Sequence, residues 1–246
     1  MAELTARGER AARAGDAPRA EAATSRASEP IAAPANAEWL RSEVELWPWI
    51  GRFLWSPAAD LHPTRRDTML PGWPAQIWSD PGALAHVSRH LLSSHGLLEA
   101  TSYDSNAEGF LLALLPQAPL ARLARRTGIA LHGAKACDSL PSLDDDDRDF
   151  LTKRVPLYWH VKAVAGSDPD ATGWHVLRML TANQPDGVKR RFTWKTPLEP
   201  GQPAGTLPAA ALLTGLIRKV LKELEPPWSS LFATLRRPGS QIRLQG

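Results

Sequence analysis

Between positions 212 and 224 the apolar residues recur every three or four places: Leu212, Leu213, Leu216, Ile217, Val220, Leu221 and Leu224. Arg218, Lys219, Lys222 and Glu223 fill the gaps, which is the period of an amphipathic α-helix. Pro226 and Pro227 end it. The same period puts Leu84, Val87, Leu91 and Leu92 on one helix face, with Ser79, Asp80 and Pro81 as the start and Gly96 as the stop. Phe110, Leu111, Leu114 and Leu115 predict a short helix before Pro116. Pro119 then opens a helix carrying Leu120, Leu123, Ala124 and Thr127, with Gly128 as its close. Asp144 to Asp147 precede Phe150, Leu151 and Val155, with Lys153 and Arg154 at the far end, an order that suits the helix macrodipole. Asp170 is positioned to cap a helix containing Val176, Leu177 and Leu180.

Two segments depart from that period. Trp39, Leu40, Val44 and Trp47 predict a short helix that Pro48 disturbs, and the Trp- and Pro-rich stretch at 47–78 reads as extended or loop structure. At 188–195, Phe192 and Trp194 alternate with Arg191, Thr193 and Lys195, which predicts a β-strand. Trp228 to Leu235 reads as one more helical turn. The expected fold is mainly α: a single compact helical domain at 38–235 with one or two short β-strands. A disordered Ala/Arg-rich extension at 1–37 and a flexible tail at 236–246 flank it. The extension holds 14 Ala, no aromatic residue and five Arg against five acidic residues, so it has almost no apolar face to bury.

Of the 246 residues, 43% are hydrophobic and 22% charged, enough apolar content for a core. No apolar run approaches the roughly 18 residues of a membrane span; the longest, Phe110 to Leu115, is a third of that. Arg7, Arg10 and Arg13 interrupt any secretory signal. The lone Cys137 excludes an internal disulfide and a multi-cysteine zinc site. Together these lead us to expect a cytoplasmic protein. The net charge is +3, too small to argue for nucleic-acid binding by itself. Ten Trp and 22 Pro suggest large anchoring side chains among short helices.

Candidate chemistry is sparse. His86 and His90 share a helix face at i, i+4, but without the Glu of a zincin pattern they read as surface histidines. Asp144 to Asp147 lack the interleaving of a calcium loop and read as a solvated first turn. Cys137 reads as a small buried apolar residue. The chain contains no nucleophile elbow, phosphate loop or dinucleotide fingerprint, so no enzyme, cofactor or metal site is expected. Lys189, Arg190 and Arg191 beside Phe192 and Trp194 are the best nucleic-acid candidate, by stacking and phosphate contact. The alternation instead favours aromatics in the core and wet charges, with an acidic protein as partner of the basic edge.

Four segments in order resemble the SctK family of type III secretion systems, whose members include YscK. The first runs from Phe53 through Trp55, Pro57, Leu61, His62 and Pro63, followed by Leu70 and Pro71; Asp60 stands where the family carries Tyr. The second ends in Leu131, His132 and Gly133. The third is the basic stretch from Gln184 through Arg190, Arg191 and Trp194 to Pro197 and Leu198. The last runs from Leu216 to Lys222 and on to Pro226, Ser230, Leu231 and Phe232. The resemblance implies a non-enzymatic cytosolic adaptor of the injectisome sorting platform. Such a protein links the inner-membrane ring protein SctD to pods of SctQ, and through them to SctL and the ATPase SctN, for effector export. It lies peripherally at the inner-membrane apparatus, without inserting into the membrane and without nucleic acid. Leu131, His132 and Gly133 read as a structural junction, because Gly after a helix marks a turn.

Overall fold

The apolar periodicities become nine α-helices and two short 3-10 helices, with no strand among the described residues. The structure, a computed structural model, describes residues 43–99, 101–103, 107–137, 143–154, 168–198, 206–226 and 228–229. The chain divides into two units, Met1–Pro30 and Ile31–Gly246, and every described residue belongs to the second. The expected extension at 1–37, the domain start at 38, Trp39, Leu40, Val155 and the tail at 236–246 lie outside the described residues. So do residues 230–235 and the Cys137 side chain.

Helix α1 (Glu43–Trp55) runs through Pro48. Pro48 is its sixth residue and carries no N–H, so one intrahelical bond is missing there. Leu46, Trp49, Ile50, Phe53 and Leu54 form its buried stripe. Trp47 and Trp55 stay exposed at 55% and 48%. After a 3-10 turn (Pro57–Asp60) come α2 (Pro63–Met69), a second 3-10 turn (Ala75–Ser79) and α3 (Pro81–Ser94). The 47–78 segment is therefore mostly helical. Pro57 and Pro63 open the elements that follow α1, where no donor is missed, while Pro71 lies in a turn and Pro74 precedes the second 3-10 turn. Asp80 caps α3 by accepting from the Gly82 N–H at 2.8 Å. Gly96, at φ +64°, ends it: Leu97 N–H donates to Leu92 O and Gly96 N–H to Ser93 O, the paired bonds of a Schellman motif.

Helix α4 (Glu108–Leu114) is buried from Gly109 onward. Helix α5 (Gln117–Cys137) packs most extensively on α7 (Pro169–Thr181), then on α9 (Ala210–Leu224) and α6 (Asp145–Lys153). Gly128 does not close α5. It lies inside the helix where α7 crosses, and a Cβ there would fall 1.8 Å from Pro169 O. Gly173 of α7 answers it, since its Cβ would fall 1.7 Å from Ala124 O. The break in α5 comes at Gly133, at φ +68°. The cap of α7 is Asp168, accepting from the Asp170 N–H, whereas Asp170 pairs with Arg125. The stripe of α9 is as read, except that Leu212 is exposed.

Helix α8 (Asp186–Trp194) replaces the expected strand. Val188, Arg191, Phe192 and Lys195 are buried at i, i+3, i+4 and i+7, a helical stripe in which two members are cations. Reading those cations as solvent-facing leaves only Phe192 and Trp194 apolar, and that pair mimics a period of two. The main core draws on α1, α4 to α9 and Trp228. A smaller core joins Ala58, Leu61, Leu70 and the buried face of α3 to Trp194. Helix α8 contributes to both, and the polar groups of interest lie at that seam.

Candidate interaction site

Lys195 and Arg191 reach from the end of α8 into the seam, where every one of their side-chain nitrogens has a hydrogen-bond partner. The Lys195 ammonium is 2% exposed and donates to Ala113 O at 2.8 Å and to Leu115 O, carbonyls left open at the C-terminal end of α4. It lies 3.7 Å from Asp60 Oδ2 and over the Phe53 ring at 5.5 Å. Burial pulls the Lys195 pKa down to about 8, with Asp60 opposing and Arg52 adding to the depression. Asp60 accepts from Arg52 Nε and Nη2, at 3.2 and 2.9 Å, and from the Gln117 N–H at 3.3 Å. Burial alone would raise its carboxyl, but Lys195 and Arg52 outweigh it and hold the group below the usual carboxylate range. Arg191 donates to Leu54 O, Leu97 O, Gly187 O and Thr101 Oγ1, all within 3.1 Å, tying α1, the end of α3 and α8 together. The reading of Arg191 and Lys195 as wet charges is thus corrected: main-chain carbonyls satisfy them.

The first and third resembling segments meet here. The His62 N–H donates to Trp194 O at 2.9 Å, although the two residues lie far apart in sequence. Phe53, Pro57 and Leu61 are buried beneath this contact, and Pro63, exposed, is the first residue of α2. The His62 ring caps α2 by accepting from the Thr64 N–H, and it meets Trp174 edge-on at 6.0 Å. Burial, then Arg65 and Arg66, push the His62 pKa down, which keeps the capping nitrogen free to accept. Arg65 donates to Thr196 O at 2.6 Å and Pro197 O at 2.8 Å. Arg178 donates to the same Pro197 O at 2.7 Å and to Thr196 Oγ1. Neither guanidinium has a carboxylate partner among the described residues, and burial lowers the basicity of both.

Outside this seam the surface opens into a groove of about 420 Å³ between α2, the end of α3 and α8. Met69, Trp194 and Leu198 give it an apolar floor, and Arg65, Arg190 and His95 flank it. Arg190 is exposed, with a single bond to His95 O at 3.3 Å, while Lys189 at the rim is paired with Asp186. Of the expected interface residues, Arg190 lines this groove from its surface, whereas Arg191 faces inward.

Leu131, His132 and Gly133 lie elsewhere, on the α5 side that faces α7. Leu131 and His132 are buried, and His132 Nε2 lies 3.0 Å from Thr172 Oγ1. Gly133 makes the kink. His86 and His90 are exposed on α3, and His90 lies against the Trp73 ring at 5.6 Å. Among the described residues no group of three or more His, Cys, Asp or Glu could hold a metal ion. The Asp144 to Asp147 run is not wholly solvated. Asp144 caps α6, Asp145 and Asp146 are exposed, and Asp147 is 3% exposed between Arg125 and Arg126. Asp60, Arg52 and Arg178 carry no sequence signal of their roles, because a lone charge in an apolar run reads as solvent-facing, and Arg65 is masked by the polar stretch around it. Among the described residues no helix is long and apolar enough to cross a membrane. Comparison of the chain with protein-family models, with curated proteins and with solved structures returns no match.

Proposed function

We propose that this protein is a non-enzymatic adaptor of a bacterial type III secretion system. It would link the SctD cytoplasmic domain to the SctQ, SctL and SctN sorting platform, in the cytoplasm and peripheral to the inner-membrane apparatus. The observation that carries the reading is the meeting of two separate resembling segments, made by His62 N–H on Trp194 O and by Arg191 on Leu54 O. Short stretches matched far apart in sequence gain weight when they build one piece of structure. The mainly helical body and the exposed Trp47, Trp55 and Trp73 also suit a protein whose work is contact, since tryptophans are frequent interface anchors.

The rival idea of a nucleic-acid-binding strand at 189–195 loses its geometry. Phe192 and Trp194 are buried on a helix, so they offer no exposed ring faces on which bases could stack. The deciding experiment is co-expression with the SctD cytoplasmic domain and the SctQ-like protein of the same organism. The expected result is a complex of defined stoichiometry that survives size exclusion at moderate salt. Failure with both partners, each independently folded, overturns the adaptor reading.

A further inference from the structure

The groove beside α8 carries more positive charge than its own residues balance. Arg65, Lys189 and Arg190 face one carboxylate, Asp186, and that carboxylate is held by Lys189 at 2.7 Å. Arg65 has no carboxylate at ion-pair distance among the described residues, and Arg190 feels Asp186 only at longer range, without an ion pair. Arg65 is 8% exposed, so its charge has been taken from water with only carbonyl oxygens in return. A buried cation in that state is stabilised by any carboxylate brought near it. Arg190 is its exposed counterpart: it uses one N–H on His95 O, and a guanidinium has five. The same groove is lined by the apolar Met69, Trp194 and Leu198, the last 38% exposed.

From this we infer that the groove binds an acidic peptide segment of a partner protein, one that alternates carboxylates with aliphatic side chains. A carboxylate pairs with Arg190 in the bidentate geometry that guanidinium favours, a second lies in the field of Arg65, and an aliphatic side chain between them covers Met69 and Leu198. The floor distinguishes this occupant from nucleic acid. A phosphodiester strand would gain nothing from Met69 or Leu198, and the only indole there lies edge-buried in the smaller core. The inference rests on the adaptor reading only in that the occupant is protein.

The test uses the full chain and a fluorescein-labelled synthetic peptide alternating glutamate with leucine, followed by fluorescence anisotropy. Saturable binding is expected, weakened about tenfold by Arg190→Glu and severalfold by Leu198→Ser. A peptide with glutamine in place of glutamate should not saturate. Lys222→Glu, an exposed change of equal charge on α9, should leave binding unchanged. No saturable binding at low salt, or equal weakening by Lys222→Glu and Arg190→Glu, overturns the inference. Tighter binding of a single-stranded oligonucleotide that Arg190→Glu abolishes also overturns it and assigns the groove to nucleic acid. Because SctD and SctQ are absent from this assay, its failure leaves the co-expression result to decide the adaptor reading on its own.

Discussion

Asp60 and Lys195 form the buried ion pair that joins the 3-10 turn after α1 to the end of α8, Nζ to Oδ2 3.7 Å apart. At that distance the pair is loose, and each partner is held more closely by other groups: Asp60 by Arg52, and Lys195 by the α4 carbonyls. Asp60 is the one carboxylate among the described residues within 4 Å of either Arg52 or Lys195. Asp60→Asn should destabilise the fold by about 3 kcal/mol, because it leaves both cations uncompensated. Lys195→Met in the Asp60→Asn background should return part of that loss, giving a coupling of about 1 kcal/mol or more in a double-mutant cycle. Urea unfolding of the four proteins measures it, and strictly additive losses would show that the two groups do not interact.

The same lysine makes stability depend on alkaline pH. Its pKa in the folded chain is about 8, against an ordinary value of 10.5, with burial as the main cause. Between those values the unfolded chain holds a proton that the folded chain has released, so the free energy of unfolding rises with pH across that window. The contribution is fully present above 10.5 and is lost as pH falls through 8. That depression corresponds to roughly 3 kcal/mol. Wild type should gain this increment over Lys195→Met when unfolding is compared at the two ends of the window. Parallel pH profiles would mean that the ammonium is not desolvated.

Gly128 and Gly173 allow α5 and α7 to cross with their backbones touching. Either Gly128→Ala or Gly173→Ala would drive a methyl group into a main-chain carbonyl that has no rotamer with which to yield. Each should cost about 3 kcal/mol, or prevent folding, as overpacking at a rigid contact does. Gly215→Ala on α9 is the matched control, since its Cβ would meet nothing within 4 Å. It should add about 0.5–1 kcal/mol through helix propensity. Thermal melts of the three variants separate the outcomes: a Gly128→Ala protein as stable as wild type would place the two helices farther apart.

These glycines mark the boundary of what was legible from sequence. The stripe of α9 and the start and stop of α3 were readable because the signals are local: apolar spacing, Asp80 before Pro81, and Gly96 after the last turn. Gly128 reads as a helix stop by the same local logic, and only the backbone of Pro169, which folding brings close, gives it a different role. His62 and Trp194 lie in two of the resembling segments, but nothing in one sequence says that they touch. Helix α8 was illegible because Arg191 and Lys195 occupy core positions. Their burial depends on carbonyls at Leu54, Leu97, Ala113 and Leu115, from three other stretches of chain.

The acidic run before α6 gives the sharpest contrast between neighbours of one chemistry. Asp146 and Asp147 are adjacent and identical in sequence terms, yet the first is exposed and the second is enclosed by Arg125 and Arg126. The helical turn causes the difference: Asp147 begins the stripe that continues through Phe150 and Leu151 toward α5, whereas Asp146 points away. Asp147→Asn removes the charge that two half-buried guanidinium groups share and should cost about 3 kcal/mol. Asp146→Asn should stay within about 0.5 kcal/mol of wild type, as exposed substitutions do. Denaturant unfolding at neutral pH distinguishes them, and comparable small losses would return the whole run to a solvated first turn.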